Sequence, residues 1–204
     1  MTVHRGEIEV LIDASAIARR VRELAAAIRA EYEGRDLLLI GVLKGALYFM
    51  VDLTRELERD HAIDFMAVSS YGGSTASSGV VRILKDLDQS IEDKHVLIVE
   101  DIVDTGLTLA HLRELLLTRG PATLRICALL DKRDARQVDV PLDLVGFTIP
   151  SRFVVGYGLD FSERFRDLRF IGSLPERAIS VQDLREPPPA VDILGVTIAE
   201  SKEA

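Results

Sequence analysis

"HVLIVEDIVDTGLTLAHLRELL", His95 to Leu116, is the stretch that decides the fold. Its left half is a continuous apolar run, the pattern of a strand covered on both faces. Its right half carries helical spacing that starts at Thr105-Gly106. A strand that turns into a helix through threonine and glycine presents backbone N–H groups suited to a phosphate. Yet Glu100, Asp101 and Asp104 crowd the same junction. One acid at a helix start is ordinary capping. Two adjacent acids at a strand end, with a third three positions on, exceed that need and imply a ligand with two chemical faces. Amides and hydroxyls of Thr105, Gly106, Leu107 and Thr108 would hold a monophosphate, while Glu100 and Asp101 accept hydrogen bonds from the hydroxyls of an attached sugar.

Outward from this junction, helices and strands alternate. From Asp13 to Glu33 the residues Ile17, Val21, Leu24 and Ile28 recur at helical spacing, with Asp13 or Ser15 as N-cap and Gly34 as the stop. "LLLIGVL", Leu37 to Leu43, is an unalternating apolar strand, followed by a helix through "ALYFMVDLTREL". "AIDFMAVSSY" and "VVRILKDL" read as strands on either side of the glycine- and serine-rich loop "GGSTASSG". The strand "HVLIVE" should end at Glu100 and Asp101. Beyond the helix that stops at Gly120, "TLRICALL", "LDLVGFTI" and "RFVVGYGL" are three more strand candidates. This order predicts an α/β fold with a doubly wound, mostly parallel central sheet flanked by helices, and a ligand beyond the carboxyl ends of its strands. From Pro175 the composition changes: three prolines, Pro187 to Pro189, precede an apolar patch, so Val191 to Ile198 reads equally as an added strand or a mobile end.

With 204 residues, 48% of them apolar, the chain can bury one sizeable core. Its 33 acidic against 25 basic residues give a net charge of −8, which disfavours non-specific attraction to nucleic acid or anionic membranes. The lone Cys127 sits in an apolar run and reads as a buried structural thiol in a reducing cytosol. The first residues lack a basic stretch leading into an apolar one, and no run approaches membrane-spanning length. His4, His61, His95 and His111 are scattered without metal-site spacing.

The stretch "VLIVEDIVDTGLTL" resembles the phosphoribosyl-diphosphate (PRPP) signature of the type I phosphoribosyltransferases, and its Glu-Asp-x-x-Asp-Thr-Gly form resembles their hypoxanthine-guanine branch. Four other segments match in the family's order, over roughly Ile8 to Leu174. "GVLKGA" is similar to the pyrophosphate loop, which implies diphosphate contacts from Lys44 and Gly45 and a non-proline cis peptide before Lys44. "SSYGGSTASSG" resembles the loop that closes over the reaction centre, with Ser70 and Tyr71 matching the family's Ser-Tyr pair. In "LLDKRDAR", Lys132 matches the lysine that donates to a purine 6-oxo group. In "FVVGYGLDFSERFRDL", Phe153 would stack on the purine, groups near Val154 and Asp160 would read its edge, and Arg166 would contact pyrophosphate. The resemblance further implies magnesium, held through Glu100, Asp101 and Asp160 as few carboxylates beside the diphosphate and waters.

The family fold implied is this central sheet with a small hood built from the N- and C-terminal segments. It gives a phosphoribosyltransferase domain over residues 1–174 and an extension of unknown role over 175–204. The activity implied is purine salvage: transfer of the 5-phosphoribosyl group from PRPP to hypoxanthine or guanine, with Asp104 as the general base. Expected partners are PRPP and a 6-oxopurine in a cytoplasmic homodimer or homotetramer, with no nucleic acid and no membrane. Xanthine-preferring and adenine-specific transferases are the neighbouring alternatives, and an RNA-binding regulator of the same fold is the rival from another class. An acidic chain without tryptophan or arginine-aromatic clusters argues against the regulator. Two positions depart from the family pattern: Leu107, where some relatives carry lysine, and Ala46, where glycine is frequent.

Overall fold

Leu37 to Leu43 has no polar side chain and forms a central strand of the main sheet. The computed structural model describes residues 3–70 and 81–175. Its elements are β1 (Glu9–Ile12), α1 (Ala14–Glu31), β2 (Leu37–Leu43), α2 (Leu47–Leu57), β3 (Ala62–Ser70) and β4 (Val81–Lys85). They continue with β5 (His95–Val103), α3 (Leu107–Leu117), β6 (Thr123–Asp131), β7 (Leu144–Thr148), β8 (Val154–Val155) and β9 (Ile171–Ser173). The main sheet has six strands in the order β4-β3-β2-β5-β6-β7, and only the β3–β4 pair is antiparallel.

Burial on both faces explains the unalternating strands. Leu37 and Leu39 of β2, with Leu97 and Val99 of β5, face a core shared with α1 and α2. Leu38 and Ile40, with Val96 and Ile98, face the opposite core, shared with Leu109, Leu112 and Leu116 of α3. Asp13, rather than Ser15, caps α1 by accepting from the Ala16 N–H at 2.9 Å. The chain leaves β2 toward β3 on one side and leaves β5 toward β6 on the other. The crevice beyond the carboxyl ends of these adjacent strands is the switch point at which open parallel sheets bind ligands.

A second sheet, β1-β9-β8, is antiparallel and joins the two ends of the described chain, with Glu9 opposite Ser173 and Val154 opposite Ser173 on the other side. Val3, Ile8, Val155, Phe165 and Leu168 form its core. This is the expected hood. Two strand expectations need correction. β5 does not end at Asp101 but runs to Val103, because Ile102 and Val103 continue the ladder with Leu130 and Asp131 of β6. "RFVVGYGL" supplies only Val154–Val155, in the hood, because Gly156, Tyr157 and Gly158 all turn to positive φ. Tyr71, the loop at 72–79 and the tail from residue 176 lie outside the described residues.

Candidate active site

A cavity of about 440 Å³ opens at the switch point. It is lined by Lys44 and Gly45 after β2, by Glu100, Asp101 and Asp104 along and after β5, and by Thr105, Gly106 and Thr108 at the start of α3. Lys132, Phe153, Val154, Asp160 and Arg166 close the remaining sides. Most of the residues picked out in the sequence are thus brought together. Leu107 is not among the lining residues, and Ser70 ends β3.

The peptide between Leu43 and Lys44 is cis, as the resemblance implied. Gly45 follows, and here the absence of a side chain is required: a Cβ would overlap the Asp101 carboxylate. Ala46 needs no such freedom, since its φ of −69° and ψ of −7° are ordinary helical values.

On β5 the two acids differ in surroundings from any exposed carboxylate. Glu100 Oε2 is buried with no hydrogen-bond partner among the described residues, and burial, reinforced by the charge of Asp101, pushes its carboxyl well above the usual range. Burial also pushes Asp101 up to about 6. The Ile102 N–H, donating to Asp101 Oδ1 at 2.8 Å, and the Arg166 charge work against that rise. Desolvated acids of this kind gain from any ligand that brings hydroxyl donors or a cation.

Gly106 is the N-cap of α3 at φ +82° and has no side chain to cap with, so the helix start is held only by the Thr105 hydroxyl, which accepts from the Leu107 N–H at a long 3.4 Å. A helix start of this kind leaves its first N–H groups for a ligand. Asp104 and Lys132 meet because of register. Val103 pairs with Asp131 in the parallel ladder, so the next residue of each strand leaves the sheet beside the other. Lys132 Nζ lies 2.7 Å from Asp104 Oδ2, the lysine being buried and the aspartate half exposed.

The other wall carries the opposite charge. Arg166 donates to the Gly158 carbonyl at 2.7 Å and pairs with Asp160 at 2.8 Å, while its buried Nε has no partner among the described residues. Phe153 stands edge-on to Phe161 at 5.6 Å. Among the described residues no group of three or more acids, histidines or cysteines could hold a metal by itself. Asp160, one of the three acids expected there, is engaged with Arg166 instead of facing an open acidic cluster. Glu100 and Asp101 still fit magnesium, which keeps several waters and takes one or two carboxylates plus phosphate oxygens.

Sequence reasoning missed Glu163, which stands beside the cavity in a neighbouring cleft, its carboxylate 3.2 Å from Lys44 Nζ and 3.3 Å from Arg166 Nη2. Nothing in "DFSERF" distinguishes it from a solvated turn. The cavity's apolar wall, including Val68 and Leu159, was also not singled out.

Comparison with known proteins places this geometry. The family model described as the phosphoribosyl transferase domain matches residues 8–162. A hypoxanthine-guanine phosphoribosyltransferase of Mycobacterium avium is 54% identical over 182 residues, covering 86% of this chain and 90% of that protein. The crystal structure of a hypoxanthine phosphoribosyltransferase from Staphylococcus aureus superposes with a TM-score of 0.84 at 45% identity, covering 88% of this chain and 98% of that one. The hypoxanthine phosphoribosyltransferase of Trypanosoma cruzi, solved in complex with the product IMP, gives 0.81 at 42% identity, with 88% and 100% covered.

Proposed function

We propose a function from one premise: the chain belongs to the phosphoribosyltransferase family, in its hypoxanthine-guanine branch. It is a transferase of purine salvage, moving the 5-phosphoribosyl group from PRPP to hypoxanthine or guanine and yielding IMP or GMP with pyrophosphate. The observation that carries the assignment of residues is the cavity that sets the weakly capped start of α3 and the half-buried Glu100–Asp101 pair opposite Lys44 and Arg166.

In this reading the amides and hydroxyls of Thr105, Gly106, Leu107 and Thr108 hold the 5'-phosphate, Leu107 through its backbone alone. Glu100 and Asp101 take the ribose hydroxyls. Lys44, Gly45 and Arg166 bind the diphosphate. The base enters between Phe153, Val154 and Lys132, with Asp160 at its edge. Lys132 has three donors, so it can keep Asp104 and still donate to the 6-oxo oxygen. Asp104 accepts the proton that the purine imidazole ring loses. Positive charge develops at the anomeric carbon as the diphosphate leaves, and the carboxylates beside it stabilise that charge. Magnesium, held by Glu100 and Asp101, would neutralise charge on the departing diphosphate. Ser70 and Tyr71 belong to the segment we assign to closure over the centre.

We take residues 1–174 as the catalytic domain and 175–204 as an extension without an assigned role. Leu47, Tyr48 and Val51 form an exposed apolar strip on α2, which favours a homodimer or homotetramer. No helix of the described residues is long and apolar enough to cross a membrane, and the buried Cys127 thiol suits the cytoplasm. Steady-state rates with PRPP, magnesium and each of hypoxanthine, guanine, xanthine and adenine test the assignment. Activity with hypoxanthine or guanine, and at least about 100-fold lower efficiency with adenine, is expected, and absence of all phosphoribosyl transfer would refute it.

A further inference from the structure

Glu163 sits on a turn whose geometry it does not favour. Phe161 and Arg164 exchange two backbone hydrogen bonds, both 3.1 Å, around Ser162 and Glu163. The two central residues have φ of +51° and +60°. This is the two-residue hairpin geometry that selects asparagine and glycine, and here serine and glutamate adopt it. Contacts beyond the turn hold it in place. The Glu163 N–H donates to Asp160 Oδ2 at 2.8 Å, and Glu163 Oε1 bridges Lys44 Nζ at 3.2 Å and Arg166 Nη2 at 3.3 Å. One carboxylate oxygen therefore joins the two cations assigned above to the diphosphate, across 119 residues of sequence in the case of Lys44.

We propose that Glu163 is a positioning residue whose carboxylate stands in for the diphosphate: it holds Lys44 and Arg166 together in the unliganded protein and is displaced when PRPP binds. The proposal rests on the assignment of Lys44 and Arg166 to the diphosphate. Three observations favour exchange over a permanent bridge. The contact uses one oxygen, at distances longer than the 2.7–2.9 Å or so of strong charge-assisted pairs. Lys44 lines the cavity and Arg166 lines both it and the neighbouring cleft where Glu163 stands, and the Glu163 and Lys44 side chains are 41% and 46% exposed, so an incoming anion can take the two cations from the cavity side. Arg166 has other anchors, the Gly158 carbonyl and Asp160, and needs no rebuilding when Glu163 leaves.

The same exchange runs backward after transfer. As pyrophosphate departs, Glu163 reclaims the cations, so its carboxylate opposes product retention as well as substrate binding. A residue that competes with its own ligand in this way lowers affinity for inorganic pyrophosphate and PRPP, and keeps the two cations from drifting apart when neither is present.

Calorimetric titration of the full-length protein with inorganic pyrophosphate and magnesium tests this. Glu163→Gln removes the charge at almost constant size. Pyrophosphate should then bind about threefold to tenfold more tightly, the scale of one or two partly exposed ion pairs. KM for PRPP should fall in parallel, while IMP, which has no diphosphate, binds as before. Glu163→Gly suits the φ of +60°, so it keeps the turn and should show the same tightening, even if the glutamine variant folds poorly. Unchanged or weaker pyrophosphate binding in the folded Glu163 variants overturns the stand-in role. A loss of IMP and pyrophosphate binding together, with a lowered Tm, also overturns it and makes the residue structural. Lys44→Ala and Arg166→Ala separate the two levels. If both weaken pyrophosphate binding while the Glu163 variants do not tighten it, only the stand-in role fails. If neither weakens it, the diphosphate assignment fails as well.

Discussion

Replacing Asp101 by asparagine should stabilise the unliganded protein at neutral pH while costing it PRPP affinity. Burial moves the Asp101 carboxyl from its ordinary 3.8 up to about 6. The folded protein therefore holds that proton more tightly than the unfolded chain does. Stability from this group is greatest below about pH 4, falls as pH rises from about 4 to about 6, and carries the full cost above that window. At about 1.4 kcal/mol for each pH unit, the window of about two units sets a scale of about 3 kcal/mol. Asparagine has no charge to desolvate, keeps an acceptor for the Ile102 N–H, and removes the like charge that helps to raise Glu100. In a chain of this size about 3 kcal/mol corresponds to a rise in Tm of about 6–12 °C.

Calorimetric melts of both proteins between pH 4 and 8, without magnesium or PRPP, read this directly. The variant should melt higher at pH 8, and the gap should close toward pH 4. A variant that melts no higher than the parent at pH 8, or a gap independent of pH, would refute the reasoning. Saturating magnesium and PRPP should shrink the gap or reverse it, because a ligand that favours the ionised pair stabilises only the parent to the full extent.

Adenine carries an amino group where Lys132 expects an oxygen, so steady-state kinetics should show it used at least about 100-fold less efficiently than hypoxanthine; comparable efficiencies would remove Lys132 from base selection. Asp104→Asn should lower turnover about 100-fold or more with little change in PRPP affinity by calorimetry, as for loss of a general base. Near-normal turnover would take Asp104 out of the chemistry. Gly45→Ala forces a Cβ against the Asp101 carboxylate, so we expect about 1–3 kcal/mol of destabilisation in denaturant melts and a raised KM for PRPP. Parental values for both would show that the loop yields freely.

What the sequence disclosed follows from how locally each feature is determined. β2 and β5 were legible because strands covered on both faces leave no polar position: Leu37 to Ile40 and Val96 to Val99 are all buried. The acidic junction was legible because Glu100, Asp101 and Asp104 are close in sequence and too numerous for a cap. The hood strands were not, since β1 and β9 have four and three residues and pair across the length of the chain, with Val10 exposed. So short a segment carries no usable period, and its partner is chosen by tertiary packing.

The site's ion pairs show the same division most sharply. Asp104 and Lys132 were each singled out, but as separate agents, one for the proton and one for the 6-oxo oxygen. Their pairing at 2.7 Å follows from the register of β5 on β6, in which Val103 meets Asp131. A register shift of one residue would send the two side chains to different neighbours, and composition does not specify it. The charge of Lys132 therefore has two claimants in the unliganded protein, and the arriving base must share it with Asp104 instead of finding it free. Glu163 extends the pattern behind the other wall, where it meets Lys44 only because the hairpin from Phe161 to Arg164 brings it back over the β2 loop. Both pairings join an acid and a cation that lie far apart in sequence, and in both the cation is one that the proposed chemistry assigns to substrate. Substrate binding therefore meets the two cations differently: the diphosphate has to displace Glu163 from Lys44, whereas the base shares Lys132 with Asp104.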